Sequence, residues 1–79
     1  MTENRSPLTL AEKIEAIFTY HAPDAEATLA SEKLRATAKL LASVILDVTP
    51  PCADQTAAIR LLREAVMTAN AAIALKGLV

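Results

Sequence analysis

Tyr20 and His21 stand side by side just before Pro23, and Lys33, Arg35 and Lys39 follow close behind in a chain of 79 residues. These are side chains suited to a flat, anionic ligand. A tyrosine at a helix end can stack on any base, because every base offers a π-face, and its hydroxyl serves as a polar handle. Arginine grips a phosphate through a planar fork, and lysine adds a point charge. On an ideal helix Arg35 and Lys39 share a face, as do Lys33 and Thr37, whereas Arg35 and Thr37 lie about 200° apart. Each feature also has a plainer reading. Phe18 and Tyr20 could cap a helical core, and the basic face, balanced by Glu32, could be solvated helix surface. His21 has no Ser, Cys or Asp partner at a recognisable spacing, so it reads as a surface or capping residue and no catalytic residue is assigned.

The remaining polar residues narrow the chemistry further. Arg60, Arg63 and Glu64 read as surface charges, with Arg60 and Glu64 spaced as an intrahelical pair. Asp47 and Asp54 flank a turn, where carboxylates usually cap helices. Gly77 is the lone glycine, so there is no Gly-rich phosphate loop. Cys52 is the lone cysteine and His21 the lone histidine, which excludes an intrachain disulfide and the usual zinc spacings; neither a metal nor a cofactor is expected. A net charge of −1 and a pI near 5.7 oppose a general DNA or RNA binder, although a small anionic ligand stays compatible. The opening "MTENRSPLTLAEK" has acidic residues and lacks a long apolar run, unlike a signal or transit peptide. "LLASVIL" at 40–46 is far shorter than the ~20 apolar residues that span a bilayer. A soluble, cytosolic protein with no membrane partner is expected.

The elements that must position these residues are helical. The chain is 53% hydrophobic, mostly Ala, Leu, Ile and Val, with one Gly and four Pro, which favours an all-α fold. Residues 1–8 are expected to be flexible. A first helix spans about 9–20, begun at Ser6 or Thr9, the latter forming a capping-box pattern with Glu12, and carries Leu10, Ile14, Ile17 and Phe18 at helical spacing. It ends near Tyr20, because Pro23 biases Ala22 away from helical geometry. A second helix spans about 28–47, with Asp24, Thr28 and Ser31 as alternative caps. Thr49-Pro50-Pro51 stops it and turns the chain. A third spans about 53–76 and closes at Gly77. Helices two and three therefore make an antiparallel hairpin within a single domain, 1–79.

The hairpin has more apolar surface than it can bury. Leu34, Ala38, Leu41, Ile45 and Val48 trace one stripe of the second helix, and Ile59, Leu62, Val66, Ala69 and Ile73 trace one of the third. Leu29, Leu40, Val44, Leu61 and Leu75 are left over, and the short first helix cannot cover them all, which points to another copy of the chain. The Ala-rich run "TANAAIAL" would let helices approach closely, with Asn70 satisfying its amide across the contact; a tight intrachain hairpin with a solvated Asn70 is the alternative.

"FTYHAP", then "KLRATAKLLASVI", a proline turn and "AAIRLLREAVMTANAAIA" closely resemble the small phage-encoded anti-CBASS proteins, cyclic-oligonucleotide sponges whose hairpin domain is shared with phage anti-Thoeris sponges. The resemblance covers roughly residues 16–76 and is most specific in two blocks, Phe18–Pro23 and Glu64–Ala74. It implies a helical hairpin assembled into a compact homohexamer that works in the cytoplasm of the infected host. Such a protein sequesters bacterial immune signals without cleaving them. The implied ligands are cyclic dinucleotides such as 3′,3′-cyclic GMP-AMP, held between protomers, with cyclic trinucleotides bound at separate sites by some members.

The family's base-stacking tyrosine matches Tyr20, and its phosphate-binding basic residue matches Arg35, with Thr37 as a hydroxyl contact. Lys33 and Lys39 stand as substitutes for Arg35, because the register across residues 24–32 is open. His21 and Pro23 shape the pocket wall, and Phe18 is expected to stay in the core. Lys76 is a candidate contact at a second, trinucleotide site. The family block usually has a tryptophan after the methionine, whereas Thr68 follows Met67 here, a loss that bears on packing or on that second site. The rival reading is a helical oligomeric adaptor that binds only protein partners, which the excess apolar stripes would equally serve.

Overall fold

The computed structural model describes residues 7–78, and three helices account for most of them: α1 (Leu10–Ile17), α2 (Ala25–Val48) and α3 (Ala53–Leu75). Ser6 and most of the stretch expected to be flexible, 1–8, lie outside the described residues. No strand occurs among the described residues.

α1 starts because Thr9 and Glu12 close a reciprocal capping box. The Glu12 amide donates to Thr9 Oγ1 at 3.1 Å, and the Thr9 amide donates to Glu12 Oε1 at 2.8 Å. These bonds hold the Glu12 carboxyl below its ordinary range, the Thr9 backbone bond contributing most. The helix stops at Ile17, three residues before the expected end. Side chains take over its last carbonyls: the Thr19 hydroxyl donates to the Glu15 carbonyl at 2.6 Å, and the His21 ring reaches the Ala16 carbonyl at 2.7 Å. The proline restriction at Ala22 is therefore not what ends this helix.

α2 begins at Ala25, before the expected start near residue 28. Asp24 is the cap that wins, its carboxylate accepting the Ala27 amide at 2.7 Å. At the far end, the Thr49 hydroxyl donates to the Ile45 carbonyl at 2.6 Å. Gln55 Nε2 stands 3.1 Å from both the carbonyl and the hydroxyl of Thr49. Gln55 thus staples the Pro50-Pro51 turn from the first turn of α3.

α2 and α3 pack against each other and form the hairpin. The α3 seam is the expected one, with Ile59, Leu62, Val66, Ala69 and Ile73 half-buried. The α2 seam differs: Leu34, Ala38 and Ile45 lie on it, but Ala42 and Thr49 replace Leu41 and Val48, which are 48% and 69% exposed. Thr49, bonded to Gln55 of α3, lies on the seam, and Val48 does not. Small residues at 38, 42 and 69 suit closely approaching backbones.

Little of this surface is buried. Leu75, at 8% exposure, is the one buried residue among those described. It was expected to lack a partner. The chain reverses immediately after it, through Lys76 (φ 52°) and Gly77 (φ 74°), and the Leu78 amide donates to the Leu75 carbonyl at 3.0 Å, so Leu75 sits within the closing turn. Leu29, Leu40, Val44 and Leu61 do remain exposed, as expected. Phe18 corrects the expectation of a core position: it is 82% exposed, because it stands at the end of α1 while the chain's helix packing lies between α2 and α3. The total surface, 6512 Å², exceeds by about 40% the roughly 4,600 Å² expected of a folded monomer of this mass.

Candidate functional site

The segment between α1 and α2 carries Tyr20, His21 and Pro23. Tyr20 is 83% exposed and borders none of the clefts described below, so the single chain presents its ring open to an external surface. His21 is half-buried, and its Nε2 is the atom that meets the Ala16 carbonyl; a carbonyl accepts only, so that nitrogen carries the proton. The ring is thereby fixed as the end-cap of α1 and as a wall of a narrow cleft of about 50 Å³, where Pro23, Ser31, Asn70 and Lys76 join it.

Within the single chain one atom of the Asn70 amide lacks a partner. Its Oδ1 is enclosed and has no hydrogen-bond partner. Asn70 itself is half-buried and borders the His21 cleft.

Lys76 is held by the residue that caps the start of α2, at the same open end of the hairpin. Its Nζ lies 2.9 Å from Asp24 Oδ2, across 52 positions of sequence. The Asp24 carboxyl is held below its ordinary value, first by the Ala27 amide and then by Lys76. Lys76 in turn is raised above its ordinary value by its hydrogen bond and charge contact with Asp24. The candidate second-site lysine is thus already engaged with a carboxylate.

Arg35 links two depressions. On one side it joins Pro23, Thr28 and Ser31 around a cleft of about 220 Å³. On the other it joins Lys39 at the rim of a groove of about 400 Å³ between α2 and α3, floored by seam residues that include Leu62 and Val66. Pro23, Arg35 and Lys39 therefore follow one another along a continuous side of the hairpin, with His21 next to Pro23. Lys33 and Thr37 border none of these clefts. The Thr37 hydroxyl donates to the Lys33 carbonyl at 2.9 Å, which ties both residues to their own turn of α2.

Arg63 is the residue that helical patterning overlooked. Read as a surface charge, it stands on the α3 wall of the Arg35–Lys39 groove. The signal was available: Arg63 lies four residues after Ile59 and three before Val66, two seam positions, so it flanks the seam. Arg60, by contrast, pairs with Glu64 at 3.7 Å, as its spacing implied. Among the described residues, no three His, Cys, Asp or Glu side chains gather as a metal site, and no helix is long and apolar enough to cross a membrane.

Comparison with known proteins gives one match. A family model described as the Acb2/Tad1 hairpin domain matches residues 10–74, from the start of α1 to within one residue of the end of α3. No curated protein and no solved structure matches the chain. The family is one of phage nucleotide sponges, binding domains rather than enzymes. With most of its length matched, including the Tyr20–Pro23 segment and both hairpin helices, the chain belongs to the Acb2/Tad1 hairpin-domain family, the phage anti-CBASS and anti-Thoeris sponges.

Proposed function

We propose that the protein is a homohexameric sponge that captures cyclic dinucleotides, such as 3′,3′-cyclic GMP-AMP, between protomers and so blunts CBASS signalling in the host cytoplasm. The observation that carries this reading is an exposed Tyr20 ring, three residues before the Pro23 that shares a cleft with Arg35, an arginine with no ion pair among the described residues, in a chain of the sponge family. A cyclic dinucleotide has two bases and two phosphates in near two-fold symmetry. A symmetric pair of protomers offers one tyrosine face and one cation to each half.

In this reading Tyr20 stacks on a base, Arg35 takes a phosphate, and Lys39 reinforces it from one turn further along the same face. His21 and Pro23 form the wall behind the base. Thr37 and Lys33 lie on another side of α2 and contribute through a neighbouring protomer. Lys76 reaches a cyclic trinucleotide by exchanging the Asp24 carboxylate for a phosphate. No bond in the ligand is broken: sequestration needs only affinity and protein in excess over signal. A ligand that touches two protomers also stabilises their assembly by mass action.

A thermal-shift panel of cyclic dinucleotides and trinucleotides tests the reading. Saturable stabilisation by at least one dinucleotide supports it. Stabilisation by none, together with a stable oligomer, favours the protein-only assembly module instead.

A further inference from the structure

We infer that Arg63 is a second phosphate-binding residue, acting across the α2–α3 groove from Arg35 and Lys39. This deepens the sponge reading and rests on it. Arg35 and Lys39 rise from the α2 side of the groove and Arg63 from the α3 side, so one protomer places guanidinium groups on both walls. Between them lies an apolar floor containing Ile59, Leu62 and Val66. The volume, about 400 Å³, falls within the range of small-ligand sites.

The charge balance of the groove favours a polyanion. None of its lining residues is acidic, and among the described residues none of the three cations forms an ion pair. The nearby Arg60 shows the alternative fate of an α3 arginine, paired with Glu64. Arg63 also borders the adjoining depression toward the interhelix turn, of about 360 Å³, which shares Ile59 with the groove. Arg63 therefore stands at the junction of two depressions, with no carboxylate partner among the described residues. An arginine stays charged at every physiological pH and can hold two phosphate oxygens at once. Each protomer of a symmetric pair can then bring Arg35 and Arg63 from facing walls to the phosphodiester of its own half of the ring, and the apolar floor suits the ribose and base surface beside it.

Calorimetric titration of 3′,3′-cyclic GMP-AMP into the wild type and into Arg63→Ala, Arg63→Lys, Arg63→Gln and Arg60→Ala tests the assignment, with assembly followed by light scattering. Arg63→Ala is expected to weaken binding roughly ten- to hundredfold and to flatten its salt dependence, while Arg60→Ala stays within about twofold of wild type. If Arg63→Ala fails to assemble, the comparison of Arg63→Lys with Arg63→Gln decides: tighter binding by the lysine variant supports the assignment, and equal binding overturns it. A wild type that binds, with Arg63→Ala binding equally well, overturns the role of Arg63 alone. A wild type that does not bind overturns the sponge reading and this inference together.

Discussion

Lys76 Nζ and Asp24 Oδ2 lie 2.9 Å apart, joining the first residue before α2 to the first residue after α3. The pair clasps the open end of the hairpin, opposite the Gln55 staple at its turn. The Asp24 carboxyl is lowered, so its contribution is present above its ordinary 3.8 and is lost as pH falls through the lower folded value. Lys76 is raised, so its contribution is complete below its ordinary 10.5 and is lost as pH rises through the higher folded value. Asp24→Asn preserves a capping side chain and removes the charge. In urea unfolding at about pH 7 it is expected to be less stable than wild type, and the gap should close progressively as pH falls below 3.8 and through the lowered folded value. High salt should narrow the gap as well, because both partners are exposed. A gap unchanged across pH would remove the clasp from the account.

Tyr20 is exposed within the chain and packs on nothing that the hairpin needs. Tyr20→Ala is expected to weaken cyclic dinucleotide binding roughly five- to hundredfold, the range for loss of one base–aromatic stack, with no change in mass by light scattering. Loss of the oligomer in Tyr20→Ala would return the ring to a packing role.

Arg35 and Lys39 line one groove, whereas Lys33 points to neither described cleft. Arg35→Ala is expected to cost roughly ten- to hundredfold in affinity, Lys39→Ala less, and the order measured by titration ranks the three basic residues directly. Equal losses at all three positions would indicate a diffuse field rather than a specific phosphate contact.

Leu40 and Leu61 are 66% and 58% exposed, and neither belongs to the hairpin seam. Leu40→Glu should therefore leave the helical circular dichroism near wild type while lowering the mass measured by light scattering, because a charge is placed on an exposed apolar face that the proposed assembly would cover. An unchanged mass would show that this face lies outside the assembly interface.

Gly77 has φ 74°, and a Cβ added there would meet nothing within 4 Å. Gly77→Ala therefore tests backbone strain alone. It is expected to destabilise by about 1 kcal/mol in urea unfolding, the cost of the left-handed conformation.

Much of the hairpin was legible in the residues themselves. The Thr9–Glu12 pair announced a helix start, the Pro50-Pro51 turn separated α2 from α3, and the apolar period of α3 named its seam correctly. What the pattern could not supply was tertiary choice. Asp24, Thr28 and Ser31 are equivalent as caps in sequence, and Asp24 is used as the cap, where Lys76 also reaches its carboxylate. Leu41 and Ala42 are consecutive and lie about 100° apart around the helix, and Leu41 is the greasier, yet it is the smaller Ala42 that faces α3, on the side where Thr49 meets Gln55. Arg63 was hidden for a related reason, since a flanking charge reads as solvated until the facing helix is shown to bring two more cations to the same groove. Phe18 and Tyr20 were expected to part, one inward and one outward. Both are exposed, since α1 adds little cover to the chain.

The most direct test of the account joins capture to release. Purified protein is titrated with 3′,3′-cyclic GMP-AMP in a calorimeter, the saturated complex is desalted and denatured, and the recovered nucleotide is chromatographed against cyclic and linear standards. Saturable heat with a fixed ratio of ligand to protomer, followed by recovery of the intact cyclic nucleotide, is the predicted result. No heat would contradict binding, and recovery of linear product would contradict a sponge.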